Sequence, residues 1–526
     1  VTLADTMTLN LKRGELTTSG DSTLNYATIF ELGNASAYPV ETFTWNITGG
    51  TTKFISAGAS SDSANYLGIG KTYQRGQGIL NISGAGTVVS NNNWVHIGRY
   101  NWNSPGCQIN ISGGAKMYTA GNSYIGWSCN NNRVVVDGAG SQWTVTGVAT
   151  GQGSGNYNTL IVTNGGSIVG GVTSGAEGDN NEVIITGAGS SVIGPGINVG
   201  TWYGADNNTL TVADGASCYG SSGNCYLGKD QSGANPASQS NTVHVTGAGS
   251  TFSATNGNFN ISGSNSSFRV TDGGFANLLQ WGGIGTLGGT WTVIEVSDPD
   301  SELSIGKCEL GASGSINVTN GGAFVSRGGS VHLGQGSGAE ASVLVSGSGS
   351  TFSSTGAPFR VASQSDGRIT VADGGVFEHT ELESNWGASI GYAAGETGTV
   401  VVTGADSVFR YTDVDDGNGT FRVGESGVGI LTIADGGLVE DGNAVIGYGS
   451  GSSGTATIVG GGSVWTNTGS LTVGRSANDS TATLAFELDA NGAGTVYVDG
   501  TMTIYPTQSY LTVDLSNYQW EQGMEF

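Results

Sequence analysis

The sequence predicts an all-β protein folded as a single-stranded parallel β-helix, a solenoid in which each turn of chain stacks on the turn before it. Three observations support this fold class. Two glycine-containing motifs recur along the chain, short apolar runs alternate with polar residues, and one motif is followed at a fixed offset by a large apolar residue. Helices are disfavoured, because 94 of the 526 residues are glycine.

Two corner motifs alternate along most of the chain. The first places a pair of small residues, mostly Gly-Gly, after a strand-like run: ISGGA (111–115), VTNGG (162–166), VADGA (212–216), VTDGG (270–274), VTNGG (318–322), VADGG (371–375) and IADGG (433–437). The second ends in serine: VDGAGS (136–141), ITGAGS (185–190), VTGAGS (245–250), the degenerate VSDPDS (296–301), VSGSGS (345–350), VTGADS (402–407) and VGGGS (459–463). Copies of each motif recur about every 50–60 residues, which indicates a repeat architecture.

A strand-like run precedes each corner. In LTIADGG, Leu431 and Ile433 point to one face and Thr432 points to the other. The Asp-Gly and Asn-Gly pairs then supply the positive φ angles of a tight corner. A third element, an apolar residue followed by glycine, lies between the corners: HIG (96–98), YIG (124–126), YLG (226–228), HLG (332–334), SIG (389–391), VIG (445–447) and TVG (472–474).

A large apolar residue lies two positions after the final serine of every copy of the second motif. These residues are Trp143, Val192, Phe252, Leu303, Phe352, Phe409 and Trp465. Aliphatic residues substitute for aromatic ones in this series, and a strand must bury one of its faces. We therefore predict a ladder of stacked side chains inside the solenoid. The alternative is an exposed aromatic stripe that binds carbohydrate.

Each motif-bearing half-repeat accounts for one turn of roughly 22–30 residues, so the chain contains roughly 18–22 turns. Right-handed coiling is the expectation for a parallel β-helix. The alternative architecture is a kelch-like β-propeller, whose blades also repeat at about 50 residues. Drifting repeat lengths and two alternating motifs favour the solenoid, since a solenoid absorbs insertions as loops.

The repeat divides the chain into three predicted regions. Residues 65–475 form the repeat β-helix, 1–64 an N-terminal cap or assembly segment, and 476–526 a C-terminal one. Solenoid ends must be capped or paired. Bulky residues of the two ends are therefore candidates for a head-to-tail contact between copies: Phe43, Trp45, Tyr505, Tyr510, Trp520 and Phe526. A chain that begins at Val1 and stops in strand-like sequence is expected to be processed or part of a longer polypeptide.

Charge and hydropathy exclude several partners. The net charge of −24 opposes binding to nucleic acid and to anionic membranes, both of which require Lys and Arg. The sequence contains no run of 18 apolar residues, so membrane insertion is not expected. An acidic, ordered, repetitive chain of this composition predicts an extracellular or cell-surface protein.

Five cysteines fit an oxidising compartment. Cys107 and Cys129 lie about one turn apart and are candidates for a bond between neighbouring turns. Cys218 and Cys225 are candidates for closing a small loop, which leaves Cys308 over.

Motifs for catalysis are missing, and we predict that the protein is not an enzyme. The sequence has no GxSxG, HExxH, paired CxxC or P-loop motif, and the aspartates of the corners are explained by turn chemistry. The acidic loop DVDDGNGT (413–420) is the metal candidate: Asp413, Asp415 and Asp416 offer the hard oxygen ligands that Ca²⁺ prefers. We predict no other cofactor.

Three segments resemble a known class of repeats. LTIADGG (431–437), GTATIVGGGSVWTNTGSLTVG (454–474) and VTGAGSTF (245–252) are similar to the glycine-rich β-repeats of autotransporter passengers and of exosortase-sorted (PEP-CTERM) bacterial surface proteins. The resemblance covers roughly residues 65–475. It implies an extracellular β-solenoid and says almost nothing about activity.

The leading function hypothesis is therefore structural: a self-assembling subunit of a bacterial surface fibre, sheath or layer, with another copy of the chain as its partner. The second hypothesis is an adhesin or glycan-binding module, which contacts surface glycans through the loop aromatics Trp102, Trp127, Trp202 and Tyr203. The third is a polysaccharide lyase or hydrolase.

Overall fold

The computed structural model describes residues 2–3, 13–26, 29–33, 41–57, 65–70, 76–100, 106–202, 204–228, 238–278, 291–311, 313–336, 338–356, 358–382, 387–414, 419–475, 479–505 and 507–516. The chain forms two compact units. Unit 1 comprises Val1–Arg269 and Gly273–Gln280, and unit 2 comprises Val270–Asp272 and Trp281–Phe526. The predicted boundaries after residues 64 and 475 do not coincide with this division, which falls within a strand.

The strands up to this division are short, and one 3₁₀ turn, η1 (Gln152–Ser154), lies among them. They are β1 (Thr2–Leu3), β2 (Gly14–Thr18), β3 (Ser22–Tyr26), β4 (Ile29–Leu32), β5 (Thr42–Ile47), β6 (Thr51–Ser56), β7 (Tyr66–Ile69), β8 (Gln77–Ser83), β9 (Val88–Asn91), β10 (Trp94–Arg99), β11 (Gln108–Ser112), β12 (Lys116–Thr119), β13 (Ser123–Trp127), β14 (Arg133–Asp137), β15 (Gln142–Thr150), β16 (Thr159–Thr163), β17 (Ser167–Ser174), β18 (Glu182–Thr186), β19 (Ser191–Gly194), β20 (Ile197–Val199), β21 (Thr209–Ala213), β22 (Ser217–Gly220), β23 (Cys225–Leu227), β24 (Thr242–Thr246), β25 (Thr251–Ala254), β26 (Phe259–Ile261), β27 (Ser267–Thr271) and β28 (Phe275–Leu278).

The strands of unit 2 continue the same pattern. They are β29 (Val293–Ser297), β30 (Glu302–Ile305), β31 (Cys308–Gly311), β32 (Ser315–Thr319), β33 (Ala323–Ser326), β34 (Val331–Gln335), β35 (Ala341–Ser346), β36 (Thr351–Thr355), β37 (Phe359–Val361), β38 (Gly367–Ala372), β39 (Val376–Glu381), β40 (Ala388–Ile390), β41 (Thr397–Thr403), β42 (Val408–Asp413), β43 (Thr420–Val423), β44 (Val428–Ala434), β45 (Leu438–Asp441), β46 (Asn443–Ile446), β47 (Ser453–Val459), β48 (Val464–Asn467), β49 (Leu471–Val473), β50 (Thr481–Glu487), β51 (Thr495–Val498), β52 (Met502–Ile504) and β53 (Ser509–Asp514).

Each turn contributes one strand to each of three faces, and strands on a face pair in parallel with their equivalents in the next turn. On face 1 of unit 1, β14 pairs with β16 and β16 pairs with β18. Face 2 follows the first corner, and face 3 follows the second; β15 and β17 are long enough to supply both. Unit 2 repeats this arrangement, for example in β38, β41 and β44. The parallel β-helix is therefore confirmed, and the propeller alternative is wrong. Handedness stays a prediction.

Among the described residues, face 1 contains the nine strands from β2 to β24 in unit 1 and the nine strands from β29 to β53 in unit 2, with β27 at the division. The strands already occupy this face at β2 and still do so at β53. The end segments lack the glycine motifs but keep the alternation of apolar and polar residues, which is sufficient to place them in the sheets.

The predicted ladder residues occupy stacked inward positions on face 2. All seven are at most 1% exposed. In unit 2 the rings of Phe324, Phe352, Phe377 and Phe409 stack on one another, with centroids 4.5–5.1 Å apart. Burying each such side chain stabilises the fold by about 1.5–3 kcal/mol, so the ladder is a major part of the core.

The two corner motifs interlock through a buried serine. The hydroxyl of Ser190, the last residue of the second motif, donates to Thr186 O at 2.7 Å and accepts from the amide of Gly165 in the preceding turn at 3.0 Å. Equivalent bonds of 2.9–3.2 Å join Ser141 to Gly114, Ser250 to Gly215, Ser350 to Gly321, Ser407 to Gly374 and Ser463 to Gly436. In these six copies the serine satisfies a glycine amide of the preceding turn, which links each second motif to a first motif one turn earlier.

Unit 1 also contains an internal ladder of asparagines that the sequence analysis missed. The side-chain amides of Asn132, Asn158, Asn181, Asn208 and Asn241 are at most 1% exposed. The Nδ2 of each of the first four donates to the Oδ1 of the next asparagine at 2.8–3.2 Å, and that of Asn241 donates to Ala205 O at 3.0 Å. Each Oδ1 also accepts a backbone amide from the preceding turn. The sequence signal is an asparagine immediately before a face 1 strand, as in NTL (158–160) and NTV (241–243).

This ladder explains the glycine of the apolar-glycine element in unit 1. Gly126 has a φ of 79°, and a Cβ there would lie 2.2 Å from the Oδ1 of Asn158. Gly200 stands in the same relation to Asn241, at 2.3 Å from its Nδ2. Both the backbone conformation and the packed amide therefore require glycine.

The predicted disulfides are not formed, and all five cysteines are buried. Cys107 lies beside Asn132, because Gln108 pairs with Arg133, and its amide donates to Asn132 Oδ1 at 2.9 Å. Cys129 lies three residues away from that register position. Cys218 occupies the face 2 ladder beneath Phe252, and the sulfur of Cys225 accepts the Ile197 amide at 3.4 Å.

Unit 2 buries a carboxyl group where other turns use a neutral acceptor. Asp441 is 4% exposed, and its Oδ2 accepts from the Trp465 indole at 2.6 Å, whereas its Oδ1 has no partner among the described residues. Burial raises the pKa of Asp441 to about 7. In unit 1 the indole of Trp143 donates instead to the hydroxyl of Thr119, at 3.1 Å.

We predict that Asn181→Ala lowers the free energy of unfolding by about 2–4 kcal/mol, because it leaves buried amide donors of Asn158 without acceptors. Urea unfolding followed by circular dichroism measures the change. Asn110→Ala is the matched control, since Asn110 belongs to a half-buried amide ladder that faces outward, where water replaces the lost bond. Equal losses in the two variants would contradict a special role of the inner ladder.

We also predict that Asp441→Thr gains stability relative to the parent as pH rises. The folded protein holds the Asp441 proton up to about pH 7, whereas the unfolded chain releases it near the ordinary value of 3.8. Stability of the parent is thus lost between these values, by up to about 4 kcal/mol. Unfolding midpoints at pH 5 and pH 8 test this: the advantage of the variant should be larger at pH 8, and a pH-independent difference would refute it.

Candidate functional site: a groove on face 3 of unit 1

A shallow groove runs over the outer surface of face 3 where three successive turns carry small residues. The first outward position of this face is glycine in each of these turns: Gly147, Gly171 and Gly196. The flanking turns carry Asn122 and Asn224 at this position. The groove has a volume of about 270 Å³.

Neither backbone conformation nor packing explains these three glycines. None has a positive φ. A Cβ on Gly171 would meet nothing closer than 3.4 Å, and one on Gly196 nothing closer than 3.6 Å, which are ordinary contacts. A Cβ on Gly147 would approach only the side-chain oxygen of Asn122, at 3.3 Å. What the glycines provide is open space above the sheet.

Aromatic rings border the groove at both ends. Tyr124, on β13, stacks on Trp94 with ring centroids 5.4 Å apart and meets Trp127 edge-on at 5.1 Å, so its ring is fixed. Trp202 follows β20 in the last of the groove turns and is 43% exposed. The groove therefore has a rigid aromatic border at one end and an exposed indole at the other.

Uncharged polar groups line the remaining surface. Asn198 Nδ2 donates to Thr173 Oγ1 at 3.4 Å, and its Oδ1 accepts the Tyr226 amide at 3.2 Å. The amide nitrogen of Gln152 donates to Glu177, whose other carboxylate oxygen accepts the Gly153 amide at 3.0 Å. These contacts hold amide and hydroxyl groups in place along the groove.

Of the aromatic residues predicted to contact glycans, only some are described, and these lie at different distances from the groove surface. Trp202 borders the groove, while Trp127 is half-buried behind Tyr124. Trp102 and Tyr203 lie outside the described residues. The sequence analysis did not identify Tyr124 as a site residue. It also did not identify the three groove glycines, Gly147, Gly171 and Gly196, which together form the glycine floor. Their signal is visible only after the turns are aligned, as a run of three glycines between Asn122 and Asn224.

The residues predicted to mediate assembly also differ in their exposure to solvent. Phe43 and Trp45 are 4% and 2% exposed inside unit 1, so they cannot contact a second copy; they point inward because they alternate with polar residues on β5. Tyr505 is half-buried and Tyr510 is 53% exposed. Trp520 and Phe526 lie outside the described residues.

The last strands of unit 2 expose apolar side chains that point inward in other turns. Leu511 and Val513 on β53 pair in register with Leu484 and Phe486 on β50. Leu484 is fully buried, whereas Leu511 is 54% and Val513 57% exposed. Met502 and Ile504 on β52 are also exposed. No described strand covers this end.

The predicted calcium loop is only partly described. Asp413 Oδ2 accepts the Gly419 amide at 2.5 Å, and Asp415 and Asp416 lie outside the described residues. Within the described ranges, no group of three or more His, Cys, Asp or Glu side chains is arranged to hold a metal ion. The calcium prediction therefore stays a prediction. In the same ranges no helix has the length and hydropathy needed to span a membrane.

Comparisons with known proteins add little beyond the fold. No protein-family model matches the chain, and no curated protein matches it. One similar solved structure is a crystal structure of a TibC-catalysed, hyper-glycosylated TibA fragment, with 13% sequence identity over 85% of this chain and 97% of that chain, and a TM-score of 0.32. A likeness at that TM-score carries no argument about function. The fold and the groove define the class: a parallel β-helix with a polar, aromatic-bordered groove on one face of unit 1.

Proposed function

We propose that this protein is an extracellular, adhesin-like β-helix that binds carbohydrate in the groove on face 3 of unit 1. The observation that carries the proposal is the run of three glycines that neither φ nor packing requires, open between Tyr124 and Trp202. Glycine at these three positions gives up the side-chain contacts that a larger residue would make. A ligand that fills the open space best explains this loss.

The chemistry of the groove suits a sugar. One face of a pyranose ring presents C–H groups, which lie favourably against an aromatic ring because the π-face carries partial negative charge. The edge of the pyranose carries hydroxyls, each both donor and acceptor, and the amide and hydroxyl groups of Asn198, Thr173 and Gln152 together present donors and acceptors.

The residues in the groove are consistent with a protein that binds carbohydrate and does not cleave it. Glycoside hydrolysis requires a pair of carboxyl groups that flank the scissile bond. The described lining residues include no Asp or Glu, and the nearby Glu177 is engaged with Gln152 and with the Gly153 amide. We therefore propose a binding module and not a lyase or hydrolase.

We predict that Trp202→Ala weakens carbohydrate binding about tenfold, through loss of a stacking contact worth about 1 kcal/mol or more. Gly171→Asn should abolish binding by filling the floor, and the fold tolerates asparagine at the equivalent Asn122 and Asn224. A glycan array followed by isothermal titration calorimetry on the best ligand provides the measurement.

Tyr157→Ala is the matched control for these variants, because Tyr157 is 58% exposed and is not among the groove residues. It should bind as the parent does. The proposal fails if the array shows no carbohydrate binding, or if Trp202→Ala and Gly171→Asn bind as tightly as the parent.

A second function, end-to-end self-assembly, is favoured by the exposed end of unit 2. In the described part of the chain, β51, β52 and β53 each have an unpaired outer edge, and Leu511, Val513, Met502 and Ile504 leave the core open to solvent. Open edges invite strand pairing. The opposite end of a second β-helix would continue these parallel strands and cover the apolar side chains, and such a contact propagates into a filament.

For this second function, we predict that the parent forms larger species as concentration rises and that Leu511→Lys with Val513→Lys keeps the protein monomeric, because two cations would be buried in the contact. Sedimentation velocity and electron microscopy give the readout. Val428→Lys, at a flank position 37% exposed, is the control and should assemble normally. A parent that stays monomeric at high concentration would refute self-assembly.

A further inference from the structure

We propose that the ligand of the groove is a neutral oligosaccharide whose chain runs along the stacking direction of the turns, across the strands. This inference rests on the proposed carbohydrate binding and narrows it to a class of sugar, a minimum length and an orientation.

The charge of the groove favours neutral sugars. Recognition of carboxylate or sulfate groups depends on Arg or Lys, and the described lining residues include neither. The carboxylate of Glu177 is held beside the groove by Gln152 and Gly153. The chain as a whole carries a net charge of −24, so an anionic glycan would meet repulsion at the groove and on approach.

The direction of the ligand follows from the arrangement of the floor. Tyr124 lies in the turn before Gly147, and Trp202 lies in the turn of Gly196, four residues beyond the position in register with Tyr124, so the two aromatic borders are three turns apart along the stacking direction. With turns about 4.8 Å apart, the three glycines span about 10 Å and the two borders are about 14 Å apart along the stacking direction. A single sugar ring cannot contact both borders, whereas an extended short chain can.

The polar groups support the same orientation. Thr173 and Asn198 occupy outward positions on face 3 in adjacent turns and are joined by a hydrogen bond. Gln152 lies further along its turn in the same direction, where its amide nitrogen donates to Glu177 and its oxygen is the atom left to accept. A chain that follows the floor would present hydroxyls to these groups from successive rings.

Calorimetry with defined oligosaccharides tests the inference. The probes are neutral α- and β-linked hexose oligomers of one to four units and oligogalacturonides of the same lengths. We expect affinity to rise with each added unit up to about three, and the best neutral oligomer to bind at least tenfold more tightly than the oligogalacturonide of equal length.

A gain-of-function variant completes the test. Thr173→Lys places a cation on the groove floor and should reduce or reverse the preference for neutral chains, with stronger binding of oligogalacturonides at low salt than at high salt. Tyr157→Lys, at an exposed position outside the groove, is the control for the added charge and should leave the preference unchanged.

The possible outcomes distinguish a failure of this inference from a failure of the proposed carbohydrate binding on which it rests. Tighter binding of oligogalacturonides by the parent, still lost in Trp202→Ala, would overturn the neutral-ligand inference and leave the groove as the site. Equal affinity for one unit and for three would overturn the extended orientation. The proposed function itself would be overturned if no carbohydrate bound, or if the affinity were unchanged in Trp202→Ala and Gly171→Asn.

Discussion

The constraint on which this structure depends is that every corner must satisfy its backbone amides inside the solenoid while equivalent corners stack. The serine that ends the second motif does this. Ser190 donates to its own strand at Thr186 O and accepts the Gly165 amide of the previous turn. Because a buried unpaired amide costs about 1–3 kcal/mol, the register of one turn is tied to the next at each such corner. The strands, the phenylalanine stack and the asparagine ladder all follow from that fixed register.

A fixed register makes inward and outward positions independent of one another. Inward positions must fill the core, and at the ladder position of face 2 neighbouring turns therefore carry apolar side chains such as Met117, Trp143 and Ile168. Outward positions carry no such requirement, so a run of glycines on face 3 changes the surface without changing the fold. Unit 1 can thus carry a binding groove at no cost to its core. A solenoid separates stability and recognition in this way because each belongs to a different side of the same strand.

Buried polar groups mark where the repeat departs from a purely apolar interior. The asparagines of unit 1 form a complete network, in which each amide both donates and accepts, and such a network is favourable inside a core. Asp441 in unit 2 is different, since one carboxylate oxygen is bonded to Trp465 and the other has no partner in the described residues. Its raised pKa is the consequence of that incomplete environment. The position of Asp441 on face 2 is occupied in unit 1 by the neutral acceptor Thr119, so the carboxyl group makes this position sensitive to pH in unit 2.

The sequence by itself determined the β-helix, the corners and the inward position of residues such as Phe352 and Trp465, because alternation and turn chemistry are local and repeat in every copy. It could not determine pairings between turns. Only the tertiary structure placed Asn132 rather than Cys129 beside Cys107, put Phe43 and Trp45 in the core, and joined Gly147, Gly171 and Gly196 into one floor between Tyr124 and Trp202. These relations join residues about one turn or more apart, and the variable loop lengths between turns hide them until the register is known.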